Sequence, residues 1–193
     1  MQKVHSTGGF WLLLGALLLA ASLRLLFWFA VACAVHEAGH VLAIHLLGGR
    51  VAHFRLTGVG AVIQPRRERL FSYGEECLIA LAGPLASLAL AVVGAAWGRW
   101  FGGGYLLTGL SLTLGLFNLL PAAPLDGGRI CQAAVSWLAG PDTGEVLCRG
   151  LTQVLGAALA AVGLWVLRVS GNFTLLLCAG WLLCRRRRGG ERG

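Results

Sequence analysis

The 193-residue chain is 57% hydrophobic and only 12% charged, with a mean hydropathy of +0.75. These values exclude an ordinary soluble domain and describe an integral membrane protein, and the length suits a single domain. The formal net charge of +8 would suit a nucleic-acid partner, but the basic residues border apolar segments, as orienting charges of a membrane protein do, so no nucleic-acid partner is expected.

In chain order, residues 10–23 are apolar and form a first, short span. The small residues Ala20, Ala21 and Ser22 also allow a signal-peptide reading. Arg24 marks a bend, and residues 25–47 form a second span that Gly48 and Gly49 end. Residues 51–63 are too polar for a span. They read as a β-hairpin, with a turn at Thr57, Gly58, Val59 and Gly60. Residues 65–76 make a charged loop with Arg66, Arg67 and Arg69. Residues 77–97 form a third span, where the small Ala80, Gly83, Ala86 and Ser87 favour close approach of another helix.

Gly102, Gly103 and Gly104 make a turn, and residues 105–120 form a fourth span, interrupted by Pro121. A helix resumes after Asp126 and runs to Trp137. Residues 140–149 read as a polar loop, residues 151–167 as a fifth span and residues 173–184 as a sixth. The expected architecture is thus an all-α polytopic membrane protein of about six transmembrane helices with a short membrane-associated β-hairpin. Six spans place thirteen of the sixteen Lys and Arg residues on the side that carries both termini. Basic residues collect on the cytoplasmic side, so both termini are expected there. Arg185 to Arg188 then serve as a stop-transfer and lipid-headgroup contact. Cys33, Cys77, Cys131, Cys148, Cys178 and Cys184 contain no C-x-x-C pair and read as free thiols.

Two groups of residues stand out against this apolar background. His36-Glu37-Ala38-Gly39-His40 puts two imidazoles one helical turn apart, on one face of the second span. Both can reach one metal ion, and Glu37 beside them can take a proton from a metal-bound water, which is the pattern of zinc metalloproteases. The alternative is a pair of polar residues tying helices together. His45 lies about 140° round the helix from His40 and is a poor third ligand.

The second group runs from Asn118 through Pro121, Pro124, Asp126 and Gly127 to Gly128. Two prolines break backbone hydrogen bonding at membrane depth, where irregular backbone survives only under cover of protein or beside a water-filled cavity. Asp126 sits at that break. It makes a third zinc ligand and leaves a fourth position open, as in a catalytic site; alternatively it caps the following helix. Asn118 can hydrogen-bond a substrate carbonyl or an oxyanion, or a neighbouring helix.

Together these motifs resemble the site-2 protease family of intramembrane zinc metalloproteases. Its signatures are H-E-x-x-H on one transmembrane helix and N-x-x-P-x-x-x-x-D-G on a later one. Ala82-Gly83-Pro84-Leu85 and the Gly58 to Gly60 turn are similar to the branch of the stage IV sporulation proteins. The resemblance implies a single metalloprotease domain over residues 1–193 in a bacterial cell membrane, with Zn2+ on His36, His40 and Asp126 and Glu37 as general base. It further implies that Asn118 and the Gly58, Val59 and Gly60 turn meet substrate, although a purely structural hairpin remains open. The expected substrate is a transmembrane or membrane-associated protein, such as a pro-sigma factor, an anti-sigma factor or a remnant signal peptide, with membrane regulatory proteins as further partners. No separate regulatory domain is expected. A metal-binding but inactive scaffold, a di-iron oxidase and a zinc transporter are the other classes. The histidines are too few for a di-iron site.

Overall fold

The computed structural model describes residues 4–6, 22–57, 60–65, 70–100 and 102–184. The chain divides into two units, residues 1–118 and 119–193.

In the first unit, β1 (Val4–Ser6) precedes helix α1 (Leu23–Leu46), which carries the His/Glu/His motif. Ser22 caps α1 by accepting the Leu25 N–H at 3.3 Å. At the other end Gly48 takes a positive φ of 75°, which a side chain would oppose. The Gly48 and Gly49 amides then return to the His45 and Ile44 carbonyls. Strands β2 (Val51–Thr57) and β3 (Gly60–Pro65) pair antiparallel, with Phe54 opposite Ile63 and Thr57 opposite Gly60. β1 joins β2 in parallel.

Helix α2 (Tyr73–Gly98) begins with a capping box: Ser72 and Glu75 each satisfy the other's backbone N–H. Helix α3 is Gly104–Asn118. Helices α1 and α2 run antiparallel in close contact, because His36 meets Ser87 while His40 meets Ile79. The small residues make this approach possible. A Cβ on Gly39 would lie 2.5 Å from the Ala82 carbonyl oxygen and 2.8 Å from the Ala86 Cβ. Helix α3 packs on α2 in the same way, and a Cβ on Gly115 would reach the Ser87 Cβ at 3.2 Å.

In the second unit an irregular stretch, residues 119–125, leads into α4 (Asp126–Ala139), α5 (Pro141–Ser170) and α6 (Thr174–Cys184). The polar segment 140–149, expected as a loop, is instead the opening of α5. Pro141 occupies the first turn, where it has no amide bond to lose. Asp142 sits at the positive end of the helix dipole. Glu145 and Arg149 pair across one turn. Polarity here marks the end of the apolar stretch and not the end of the helix.

Among the described residues, α1, α2 and α5 are long and apolar enough to cross a membrane. The expected span over residues 10–23 lies outside the described residues apart from its last two positions. Gly58, Val59, Arg66, Arg67, Arg69 and the run from Arg185 to Arg188 also lie outside them.

Candidate metal centre

Helical spacing puts His36 and His40 on the α1 face that meets α2, and both are buried, at 5% and 6% exposure. Each imidazole is gripped through its Nδ1. His40 Nδ1 lies 2.7 Å from the Ile79 carbonyl oxygen, and His36 Nδ1 lies 2.9 Å from Ser87 Oγ. A carbonyl oxygen can only accept, so His40 carries its proton on Nδ1, and in the neutral ring its Nε2 is a lone pair. The two Nε2 atoms face each other at 3.3 Å, with the rings at 81°.

This arrangement fits a metal ion. Two nitrogens each about 2.0–2.1 Å from a tetrahedral zinc lie roughly 3.3 Å apart. Holding the distal ring nitrogen with a hydrogen bond is how proteins orient histidine ligands. The fit depends on Gly83: a Cβ there would lie 2.2 Å from His40 Nε2. Glu37, one residue round the helix, is half-buried.

In the second unit Asp126 is the first residue of α4 and is buried, at 7% exposure. Leu125, not Asp126, occupies the N-cap position, and it makes no side-chain capping bond. One carboxylate oxygen lies 3.5 Å from the Arg129 guanidinium. Asp126 is held by a folded-back loop. Cβ atoms on Gly127 and Gly128 would meet the Leu119 carbonyl at 2.1 Å and the Ala122 carbonyl carbon at 2.5 Å. The Ala123 N–H donates to Thr152 Oγ at 2.9 Å, and Thr152 itself donates to the Cys148 carbonyl at 2.7 Å. Helix α5 thus pins the loop that follows Pro121.

The other sequence-predicted residues have plainer settings. Asn118 donates one amide N–H to the Leu114 carbonyl at 3.0 Å, within its own helix. His45 is exposed and bonds the Val41 carbonyl at 2.8 Å, away from the histidine pair. Gly60 opens β3. Sequence reasoning missed the Ile79 carbonyl and the specific roles of Ser87 and Gly83. The signal available for them was a lone hydroxyl and a glycine among the small residues of an apolar helix.

The model of peptidase family M50 matches residues 95–162. Among solved structures, a site-2 protease from Methanocaldococcus jannaschii is 27% identical with a TM-score of 0.71, over 93% of this chain and 86% of that one. A zinc metalloprotease of the same organism is 30% identical over 154 residues, which is 76% of this chain and 43% of the relative. Stage IV sporulation protein FB of Bacillus subtilis is 27% identical over 135 residues, 66% of this chain and 46% of the relative. The chain therefore spans less than half the length of these two curated relatives. The zinc metalloprotease relatives and the buried, zinc-spaced imidazole pair make zinc the metal of this chain. With two imidazoles poised at a zinc-sized separation, a buried carboxylate beside a proline-broken helix, and these relatives, the chain is similar to the site-2 protease family of zinc metalloproteases along most of its length and is an integral membrane protein.

Proposed function

We propose that the protein is an intramembrane zinc metalloendopeptidase that cleaves a membrane-associated precursor, with His36, His40 and Asp126 as the metal ligands and Glu37 as general base. The observation that carries this reading is the pair of Nε2 atoms 3.3 Å apart, each ring held from behind through its Nδ1. When bound, zinc polarises the scissile carbonyl and brings the pKa of a water to near 7. Glu37 takes the proton of the attacking water, holds it, and delivers it to the departing amine. Asn118 spends one N–H on Leu114 and aims its second at the substrate carbonyl. A helical substrate hides its carbonyls, so it must unwind before it is cut. The paired strands β2 and β3, together with Gly58, Val59 and Gly60, take the unwound strand by edge pairing.

The proposed chain crosses the membrane about six times as one proteolytic domain, with both termini in the cytoplasm and the metal site near the cytoplasmic end of α1. Similarity to stage IV sporulation protein FB favours a sporulation pro-sigma factor as the substrate, with membrane proteins regulating the cut.

The test is cleavage of a single-span precursor by the purified protein in liposomes. Wild type cuts, a chelator stops it and zinc restores it. Glu37→Gln keeps its zinc and loses about 10²–10⁴-fold in rate. Undiminished cleavage by a zinc-loaded Glu37→Gln protein rules out the general-base assignment. Absence of cleavage by wild type across candidate precursors favours an inactive metal-binding scaffold.

A further inference from the structure

Helix α5 holds the Asp126 segment from both sides. Before Asp126, the Ala123 N–H donates to Thr152 Oγ at 2.9 Å. After it, the Gly128 carbonyl accepts from the Cys148 thiol at 3.4 Å. Cys148 and Thr152 are four positions apart on α5, so they share a face and lie one turn from each other. The Thr152 hydroxyl donates to the Cys148 carbonyl at 2.7 Å. The two holds are therefore joined to one another.

The segment needs such holds. Pro121 and Pro124 have no amide hydrogen to offer. The Ala122 and Leu125 amides turn back to the Leu120 and Ala122 carbonyls, each at 2.8 Å, whereas the Ala123 amide leaves the loop for α5. Asp126 opens α4 with Gly127 and Gly128 behind it, the residue type that restrains a backbone least. A hydroxyl suits position 152. Its O–H is spent on its own helix, which turns a lone pair outward to an amide. Ser170 on the same helix makes the same kind of backward bond, to the Val166 carbonyl at 2.9 Å, but lies about 27 Å along the helix from Thr152.

We propose that Thr152 is a positioning residue for the Asp126 carboxylate. Its hydroxyl, backed by the Cys148 thiol, sets the height and turn of the first residue of α4, and so where the carboxylate is presented. A valine has the same shape and neither hydrogen-bonding function. It would strip the Ala123 N–H of its acceptor and let the loop shift while the packing of α5 stays as it is. A serine keeps both bonds.

This inference rests on the reading of Asp126 as a zinc ligand, and the variants separate the two. In competition against a chelator, Thr152→Val is expected to bind zinc about 10-fold more weakly than wild type, as when a group that orients a metal ligand is removed. Thr152→Ser should regain most of the loss, and Ser170→Ala should match wild type. In the Asp126→Ala background Thr152→Val should add no further loss, because the residue it positions is gone. Hydrogen exchange at the Ala123 amide, followed by NMR in micelles, should speed up in Thr152→Val and keep its wild-type rate in Thr152→Ser. Should Thr152→Val fail to fold, Cys148→Ala releases the segment from its other side and takes its place in both affinity comparisons. Wild-type affinity in the folded variant, beside a loss in Asp126→Ala, overturns the positioning role and leaves the ligand. Equal losses with and without Asp126 overturn it as well, since the effect then belongs to the fold at large. Wild-type affinity in Asp126→Ala overturns the ligand reading and this inference together.

Discussion

Gly83 lies against the imidazole of His40 so closely that a single added carbon would sit 2.2 Å from Nε2 and 2.5 Å from Cε1. The absence of a side chain at one position of α2 therefore sets the place of the His40 imidazole on α1. Gly83→Ala must push the ring away and strain its 2.7 Å bond to the Ile79 carbonyl. Zinc affinity is expected to fall at least tenfold, in line with the loss of a bond that orients a metal ligand, and proteolysis with it. Gly109→Ala, where an added Cβ meets nothing within 4 Å, is the control and should leave zinc affinity unchanged. Chelator competition on both variants measures the contrast.

The loop before Asp126 offers a second handle. A Cβ on Gly127 would run into the Leu119 and Leu120 carbonyl oxygens at 2.1 and 2.5 Å. These are backbone atoms and cannot swing aside, so the loop must move, at about 1–3 kcal/mol for overpacking. Gly127→Ala should therefore lower both thermal stability and peptidase activity. Circular dichroism melts and the liposome assay check the two effects separately.

Two fully buried serines have opposite fates. Ser87 Oγ is bonded to His36, while Ser111 Oγ, also at 0% exposure, is the buried side-chain polar atom among the described residues that lacks a partner. An unsatisfied buried hydroxyl costs about 1–3 kcal/mol. Ser111→Ala should thus match or exceed wild type in stability and leave zinc affinity intact, whereas Ser87→Ala weakens zinc binding. Thermal unfolding with and without zinc separates the pair; a destabilised Ser111→Ala would show that the hydroxyl has a partner such as a buried water.

Metal removal gives a fourth expectation. Zinc that binds only the folded chain stabilises it by mass action, about 2.7 kcal/mol at one hundred times its dissociation constant. Wild type should melt higher as zinc is added, and Asp126→Ala should lose most of that increment because the proposed ligand set is reduced to two imidazoles. An Asp126→Ala protein with the full zinc-dependent shift would remove Asp126 from the site.

The His/Glu/His motif was legible because ligand spacing on a helix is local. Residues 36 and 40 share a face whatever surrounds them. The break before Asp126 was legible through the prolines that interrupt a helix in apolar surroundings. The partners of the histidines were not, because Ile79 and Ser87 lie 39 and 51 residues from the rings they hold and one of them acts through its backbone. The small residues of α2 announced that a helix would come close, but not which face of the other helix they would receive. Polarity misled over residues 140–149, where the helix extends past its apolar part: hydropathy reports the solvent, while Pro141, Asp142 and the Glu145–Arg149 pair report the conformation.

The grip on His40 has a genetic consequence. Its acceptor is a main-chain oxygen, present whichever amino acid occupies position 79, so no exchange of the isoleucine side chain deletes it outright. His36 depends on a serine hydroxyl that one nucleotide change can remove. Of two imidazoles equal in chemistry, one rests on the peptide bond itself and the other on a codon. Inactivating lesions that spare the metal-binding residues should therefore gather on the His36 side, at codon 87, and be scarce at codon 79.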